Sequence, residues 1–198
     1  MSSKRDQKKI NFDNYADNYK DYITKSLGNL EDNLNYYHIK KSEILKKELG
    51  YQPKKILDLG CGVGTMLELL IKNFQGSAFY AYDESKKSME YIKKKFPEIN
   101  CLDNLETNEK FDLIFISAVV HHVKSGDRND LFKNIYNLLS PNGVMFIFEH
   151  NPYNPITIKM VTNCEFDADA ELIKKNDLIN LCKKNNFKII KSGYIHFF

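Results

Sequence analysis

At 198 residues the chain can build one sizeable core but not two comfortable ones, so a single domain with a small appendage is expected. Lys plus Arg exceed Asp plus Glu by 29 − 26, and this net charge of +3 is scattered along helix-like segments; it is not interleaved with clustered aromatics, which argues against a nucleic-acid partner. The longest apolar run, Phe111 to Val120, is too short for a membrane span, no N-terminal run resembles a signal peptide, and Cys61, Cys101, Cys164 and Cys182 form no C-x-x-C, so a soluble, cytoplasmic chain with reduced thiols and no membrane association is expected.

Two helices are expected before Pro53. From Asn11 to Leu27, Phe12, Tyr15, Ala16, Tyr19, Tyr22 and Ile23 recur at spacings of three and four, an aromatic stripe suited either to packing or to closing a ligand site. Tyr36 to Leu49 carries Tyr37, Lys41, Ile44, Leu45 and Glu48 in helical register and stops at Gly50. Neither joins a strand alternation, so residues 1–52 are expected to cap a core of residues 53–198.

Strand and helix alternate from Lys54 onward. Strands are predicted at Lys55–Leu59, Ala78–Tyr82, Asn100–Leu102, Phe111–Ser117 and Val144–Phe148, with a final one at Phe187–Tyr194. Helices are predicted at Thr65–Phe74, Ser85–Phe96 before Pro97, Asp130–Leu139 before the turn Ser140-Pro141-Asn142-Gly143, and Asp177–Asn185. The repetition predicts an α/β fold with a doubly wound, mostly parallel sheet, Rossmann-like, whose ligands sit at the carboxyl ends of the strands.

The first strand ends in Asp58-Leu59-Gly60-Cys61-Gly62-Val63-Gly64, where glycines let backbone approach a ligand and the next helix presents free N–H groups. Nineteen residues past Gly64, Asp83 closes the second strand, where a carboxylate can accept from both hydroxyls of a ribose; a helix-terminal acid is the plainer reading. Dinucleotide sites prefer G-x-G-x-x-G, and this spacing departs from it, which disfavours a nicotinamide oxidoreductase.

With Asp83 to Met89, Phe111-Asp112-Leu113-Ile114-Phe115 and Leu138 to Gly143 in order, residues 54–150 resemble class I S-adenosylmethionine-dependent methyltransferases. Asn11 to Tyr19 resembles the N-terminal cap segment of many small-molecule members. The resemblance implies S-adenosylmethionine as cofactor. It places Gly60 and Gly62 against the methionine part, Asp58 behind the turn or near the amino group, and Asp83 on the ribose. Glu84 would lie near the adenine, Asp103 and Asn104 on its edge, and Ser117 would offer a carbonyl to the ammonium. A complete sheet of that family has seven strands; the seventh is expected to be missing here, either because the chain is truncated or with the edge covered by a partner or the cap.

Catalytic candidates follow the fourth and fifth strands: His121 and His122, then Glu149 and His150. An imidazole is a plausible base for a hydroxyl acceptor, and a structural histidine pair is the plain alternative. On an extended segment adjacent side chains diverge, so at most one of the two histidines should face the pocket. No spacing forces these heads together, so no metal is expected. Asn151-Pro152-Tyr153 resembles an amino-methyltransferase signature but lies after the wrong strand, and Glu149 to Pro155 reads as a proline-stiffened loop on the acceptor side. Methyl transfer to a hydroxyl or amine of a small-molecule acceptor is the leading expectation, with a catalytically silent cofactor-binding protein of regulatory or interaction role as the alternative.

Overall fold

The computed structural model describes residues 10–14 and 33–195. The aromatic stripe from Tyr15 to Leu27 lies outside the described residues; Phe12–Asn14 form one 3-10 turn. Five parallel strands, β1 (Lys55–Leu59), β2 (Ala78–Tyr82), β3 (Asn100–Cys101), β4 (Phe111–Ser117) and β5 (Leu139–Phe148), pair in the order β3-β2-β1-β4-β5. The helices are α1 (Asn33–Leu49), α2 (Thr65–Asn73), α3 (Lys86–Lys95), α4 (Arg128–Leu138), α5 (Pro155–Asn163) and α6 (Lys175–Lys184). Strand order reverses between β1 and β4, the point at whose carboxyl ends open parallel sheets generally bind ligands.

Both faces of the sheet are covered, which is why the strands read as near-continuous apolar runs. Ile56, Leu113 and Phe115 turn one way, into a core with Leu45 of α1, Leu67 and Leu70 of α2 and Ile92 of α3. Leu57, Ile114 and Ile116 turn the other way, onto Phe132 and Ile135 of α4 and Cys182 of α6. Leu45 is fully buried, and Asn73 donates to Ser42 Oγ at 3.0 Å, so α1 is one of the layers around the sheet. The acid inside the β4 run also has a task. Asp112 accepts from Lys54 N and Lys55 N at 2.8 and 3.1 Å and from Ser140 Oγ at 2.9 Å, stitching together the amino ends of β1, β4 and β5.

Three expectations are corrected. The turn Ser140-Pro141-Asn142-Gly143 is absorbed into the start of β5: Leu139 pairs with Phe111 and Val144 with Leu113, and the register shift takes up the extra residues. Residues 187–194 form no strand, because the ring of Phe187 is drawn onto α4, 6.2 Å from Phe132 and 5.3 Å from Tyr136. Farther along, Lys191 pairs with Glu48 at 2.6 Å. The segment after His150 is a short turn leading into α5, which was not predicted; its start is nevertheless encoded, since Asn154 Oδ1 caps Ile156 N at 2.9 Å and Pro155 opens the helix. Among the described residues no helix is long and apolar enough to cross a membrane, and the four cysteines are free.

The glycine turn is held over β2, with Gly60 N and Cys61 N both donating to Tyr82 O at 2.7 and 3.2 Å. Gly60 has φ +76°, and a Cβ there would lie 2.3 Å from Val119 Cγ2, whereas one on Gly62, at φ +52°, would meet nothing within 4 Å. Gly60→Ala is therefore expected to cost about 3 kcal/mol of stability, and Gly62→Ala only the left-handed backbone penalty of about 1 kcal/mol. Urea denaturation distinguishes them; equal losses would show that the Val119 contact does not restrict position 60.

Candidate functional site

The carboxyl ends of β1 and β2 form the first half of the site. Asp83 Oδ2 accepts from Gly62 N at 2.8 Å and Oδ1 from Ser85 N at 2.9 Å, so one carboxylate ties the glycine turn to the start of α3. Burial raises its pKa and these two N–H groups partly offset that; each oxygen keeps a second lone pair for a ligand. Ser85 caps α3 by accepting from Ser88 N at 3.1 Å, and its hydroxyl donates to Asp13 at 2.7 Å, bringing the 10–14 segment onto the rim. Beneath the turn, Asp58 is buried in β1 and its Oδ2 has no hydrogen-bond partner. Burial first, and then the Asp83 charge, push it up to about 7.

A carboxyl whose folded-state pKa lies above its usual 3.8 binds its proton more tightly when folded. Its contribution to stability is thus most favourable below about pH 4 and falls as pH rises toward 7. Asp58→Asn removes the ionisation, so a flatter plot of unfolding midpoint against pH is expected across this range. An unchanged slope would assign the ionisation elsewhere.

The second half lies beyond β4 and β5. Ala118, at φ +59°, turns the chain sharply after β4, and Glu149 Oε1 then accepts from Val119 N and Val120 N at 2.9 and 2.6 Å. The other oxygen, Oε2, lies 2.7 Å from His121 Nδ1. Residues 120–122 become a 3-10 turn, and both histidine rings therefore project to the same side, with centroids 4.1 Å apart. The expectation that they diverge is wrong because it assumed extended backbone. The two rings also share a carboxylate no periodicity flagged: Asp167, from the turn Glu165–Asp167 after α5, lies 3.7 Å from His121 Nε2 and 3.3 Å from His122 Nε2.

Burial would lower His121, but Glu149 and Asp167 together raise it to about 9. Burial would raise Glu149, but the His121 charge and hydrogen bonds bring it down to about 2. His150 stacks on His121 with centroids 4.8 Å apart, and burial, then the His121 charge, push it down to about 4. Among the described residues no hydrogen bond fixes the His150 ring. Lys41 of α1 enters from the other side: its Nζ donates to Ser117 Oγ at 3.0 Å and lies 5.9 Å from the Phe148 ring centroid. Burial lowers it to about 8, with Glu149 opposing the shift. A lysine on the inward stripe of a helix was its only signal in the sequence.

The structure thus gathers His121, His122, Glu149 and His150 in one cluster, and Asp58, Gly60, Gly62 and Asp83 in another. Glu84 is exposed. Asp103 is 91 % exposed in its side chain and lies 3.9 Å from Lys93, and Asn104 turns its carbonyl onto Glu106 N at 2.7 Å, so these two face the surface of the loop after β3.

Residues 57–145 match a family described as a methyltransferase domain. Malonyl-[acyl-carrier protein] O-methyltransferase 1 of Ilyobacter polytropus is 26% identical over 170 residues, 79% of this chain and 62% of that protein. Carboxy-S-adenosyl-L-methionine synthase of Trichodesmium erythraeum is 29% identical over 110 residues, 50% of this chain and 44% of that one. The chain spans about half to three fifths of the length of these relatives. Among solved structures, magnesium protoporphyrin IX methyltransferase of Synechocystis, with bound S-adenosylmethionine, superimposes with a TM-score of 0.68 at 17% identity, covering 100% of this chain and 95% of that one.

Proposed function

We propose, from the premise that residues 57–145 are a class I S-adenosylmethionine-dependent methyltransferase domain, that this chain transfers a methyl group from S-adenosylmethionine to a hydroxyl or amine of a small-molecule acceptor. The observation carrying the cofactor assignment is the pairing of Asp83, fixed on Gly62 N and Ser85 N, with the buried, unpartnered oxygen of Asp58. Two carboxyls beside an open glycine turn suit a ligand with a diol and cationic groups; a pyrophosphate would be repelled there. The cofactor, when bound, supplies a methyl carbon already activated by a sulfonium. Asp83 then holds the ribose and Gly62 leaves the methionine part its space. Asp58 ionises opposite the positive charge.

Alignment supplies most of the acceleration in such an in-line displacement. His150 is uncharged at neutral pH and free of a fixed partner, so its ring can take the acceptor's proton; with a pKa near 4 it is a weak base, and positioning outweighs proton removal. His121 and Glu149 are committed to each other and shape the turn after β4. A second reading, an acceptor bearing a carboxylate, is favoured by Lys41, whose half-enclosed ammonium beside Ser117 would gain from a negative partner. It also accords with the malonyl-carrier relative.

Calorimetric titration with S-adenosylmethionine and S-adenosylhomocysteine tests the cofactor, and absence of saturable heat with both would remove it. Because the cation selects ionised Asp58, affinity is expected to rise with pH up to about 7 and to lose that dependence in Asp58→Asn. Transfer of labelled methyl into a cell extract tests the reaction, and mild alkali separates the acceptors: carboxyl esters release label, ethers and amines retain it. Binding without transfer would favour a silent binder.

A further inference from the structure

We propose that His121, His122 and Asp167 form a binding site for a divalent transition-metal ion of the zinc type. The three candidate ligand atoms, one from each residue, all lie within 4.8 Å of one another. Asp167 Oδ1 is 3.7 Å from His121 Nε2 and 3.3 Å from His122 Nε2. Around a tetrahedral ion with bonds of about 2.05 Å, neighbouring ligands stand about 3.4 Å apart; the two separations to Asp167 bracket that value, and the two imidazole nitrogens, within 4.8 Å, close onto the ion by small side-chain rotations.

The ring nitrogens are oriented for it. Glu149 Oε2 sits on His121 Nδ1 at 2.7 Å, which holds a proton there, so that an ion displacing the Nε2 proton would meet that nitrogen's lone pair. That Nε2 is buried with no hydrogen-bond partner, on a side chain only 1% exposed. In His122, Nδ1 faces Asp169 Oδ1 at 3.8 Å with both atoms lacking a hydrogen-bond partner, and Nε2 lies 3.3 Å from Asp167 Oδ1. A histidine braced by a carboxylate on one nitrogen and offering the other is the arrangement that orients metal ligands; His121 has it, and His122 has an acid facing its Nδ1 at a longer distance. The two histidines converging on one carboxylate oxygen give an N₂O set, which suits zinc, cobalt, nickel or ferrous iron and leaves at least one position for water.

Such an ion would join segments distant in sequence. His121 and His122 end the β4 arm, Asp167 follows α5, and the adjacent Asp169 accepts from Ile10 N at 2.8 Å, so the ion would tie the α5 region and the 10–14 segment to the rim of the sheet. The competing arrangement is a metal-free imidazolium at His121 shared between Glu149 and Asp167.

The full chain, stripped with a chelator and dialysed, is titrated with Zn²⁺ by calorimetry and with Co²⁺ by visible absorption. One ion per chain is expected, with affinity reduced on the order of 100-fold in Asp167→Asn and in His122→Ala, and about 10-fold in Asp169→Asn. No saturable binding by the parent chain, or binding undiminished in both Asp167→Asn and His122→Ala, would overturn the site. Should these variants fail to fold, ¹⁵N spectra of the parent chain decide: Zn²⁺ should shift Nε2 of both His121 and His122, and unmoved resonances would refute the proposal. These readouts do not depend on methyl transfer.

Discussion

Asp83→Ala is expected to weaken S-adenosylmethionine binding on the order of 100-fold, from the loss of about 2–4 kcal/mol of hydrogen bonding to a charged group. The carboxylate acts twice. Its two oxygens take Gly62 N at 2.8 Å and Ser85 N at 2.9 Å, which sets the distance between the glycine turn and α3, and its remaining lone pairs are those proposed to hold the ribose. Alanine removes both functions, whereas Asp83→Asn keeps an acceptor on one side and gives up the charge, so an intermediate loss is expected. Calorimetry at one pH and salt concentration measures it. Parent-like affinity in Asp83→Ala would remove Asp83 from the ribose role even if the chain binds the cofactor.

Glu149→Ala is expected to be the most destabilising single truncation at the site, by about 3–5 kcal/mol. The side chain is buried, and its loss strands three partners at once: the N–H groups of Val119 and Val120 and the Nδ1 of His121. The imidazole left behind is enclosed and no longer paired with this acid, which is costlier than removing both groups together. For a chain of this size the loss corresponds to a fall in Tm of roughly 10 °C. Glu149→Gln retains an acceptor for the two N–H groups and should lose about half as much. Because Val119 lies against Gly60, loosening this turn should also weaken cofactor binding. Both variants unfolding within about 1 kcal/mol of the parent would show that the turn after β4 does not depend on Glu149.

Legibility in the sequence follows the range of the interaction. The strands from Lys55 to Ser117 and the helices between them are encoded by neighbours a few residues apart, and caps such as Ser85 and stops such as Pro97 mark their ends locally. The segment from Phe187 failed as a strand because alternation says that a chain is half buried but not by what; here its aromatic ring found α4 and no hydrogen-bonding edge. Helix α5 has a good start signal in Asn154-Pro155, but two prolines within four residues, Pro152 and Pro155, equally suit a stiff loop, and local pattern does not separate the two.

At the site the same division holds. The sequence by itself determined the α/β order of the elements, the glycine turn after β1 and the acid at the end of β2, since in a parallel sheet each strand's carboxyl end falls on a single rim whatever the helices do. It also marked His121, His122, Glu149 and His150 as residues of that rim. Only the tertiary structure decided what these residues do to one another. Ala118 at positive φ and two backbone N–H groups on Glu149 curl the chain so that both histidines meet Asp167, more than forty positions downstream, and α1 delivers Lys41 to Ser117 across 76 positions. Such contacts are selected by packing in three dimensions, where no local period relates the partners.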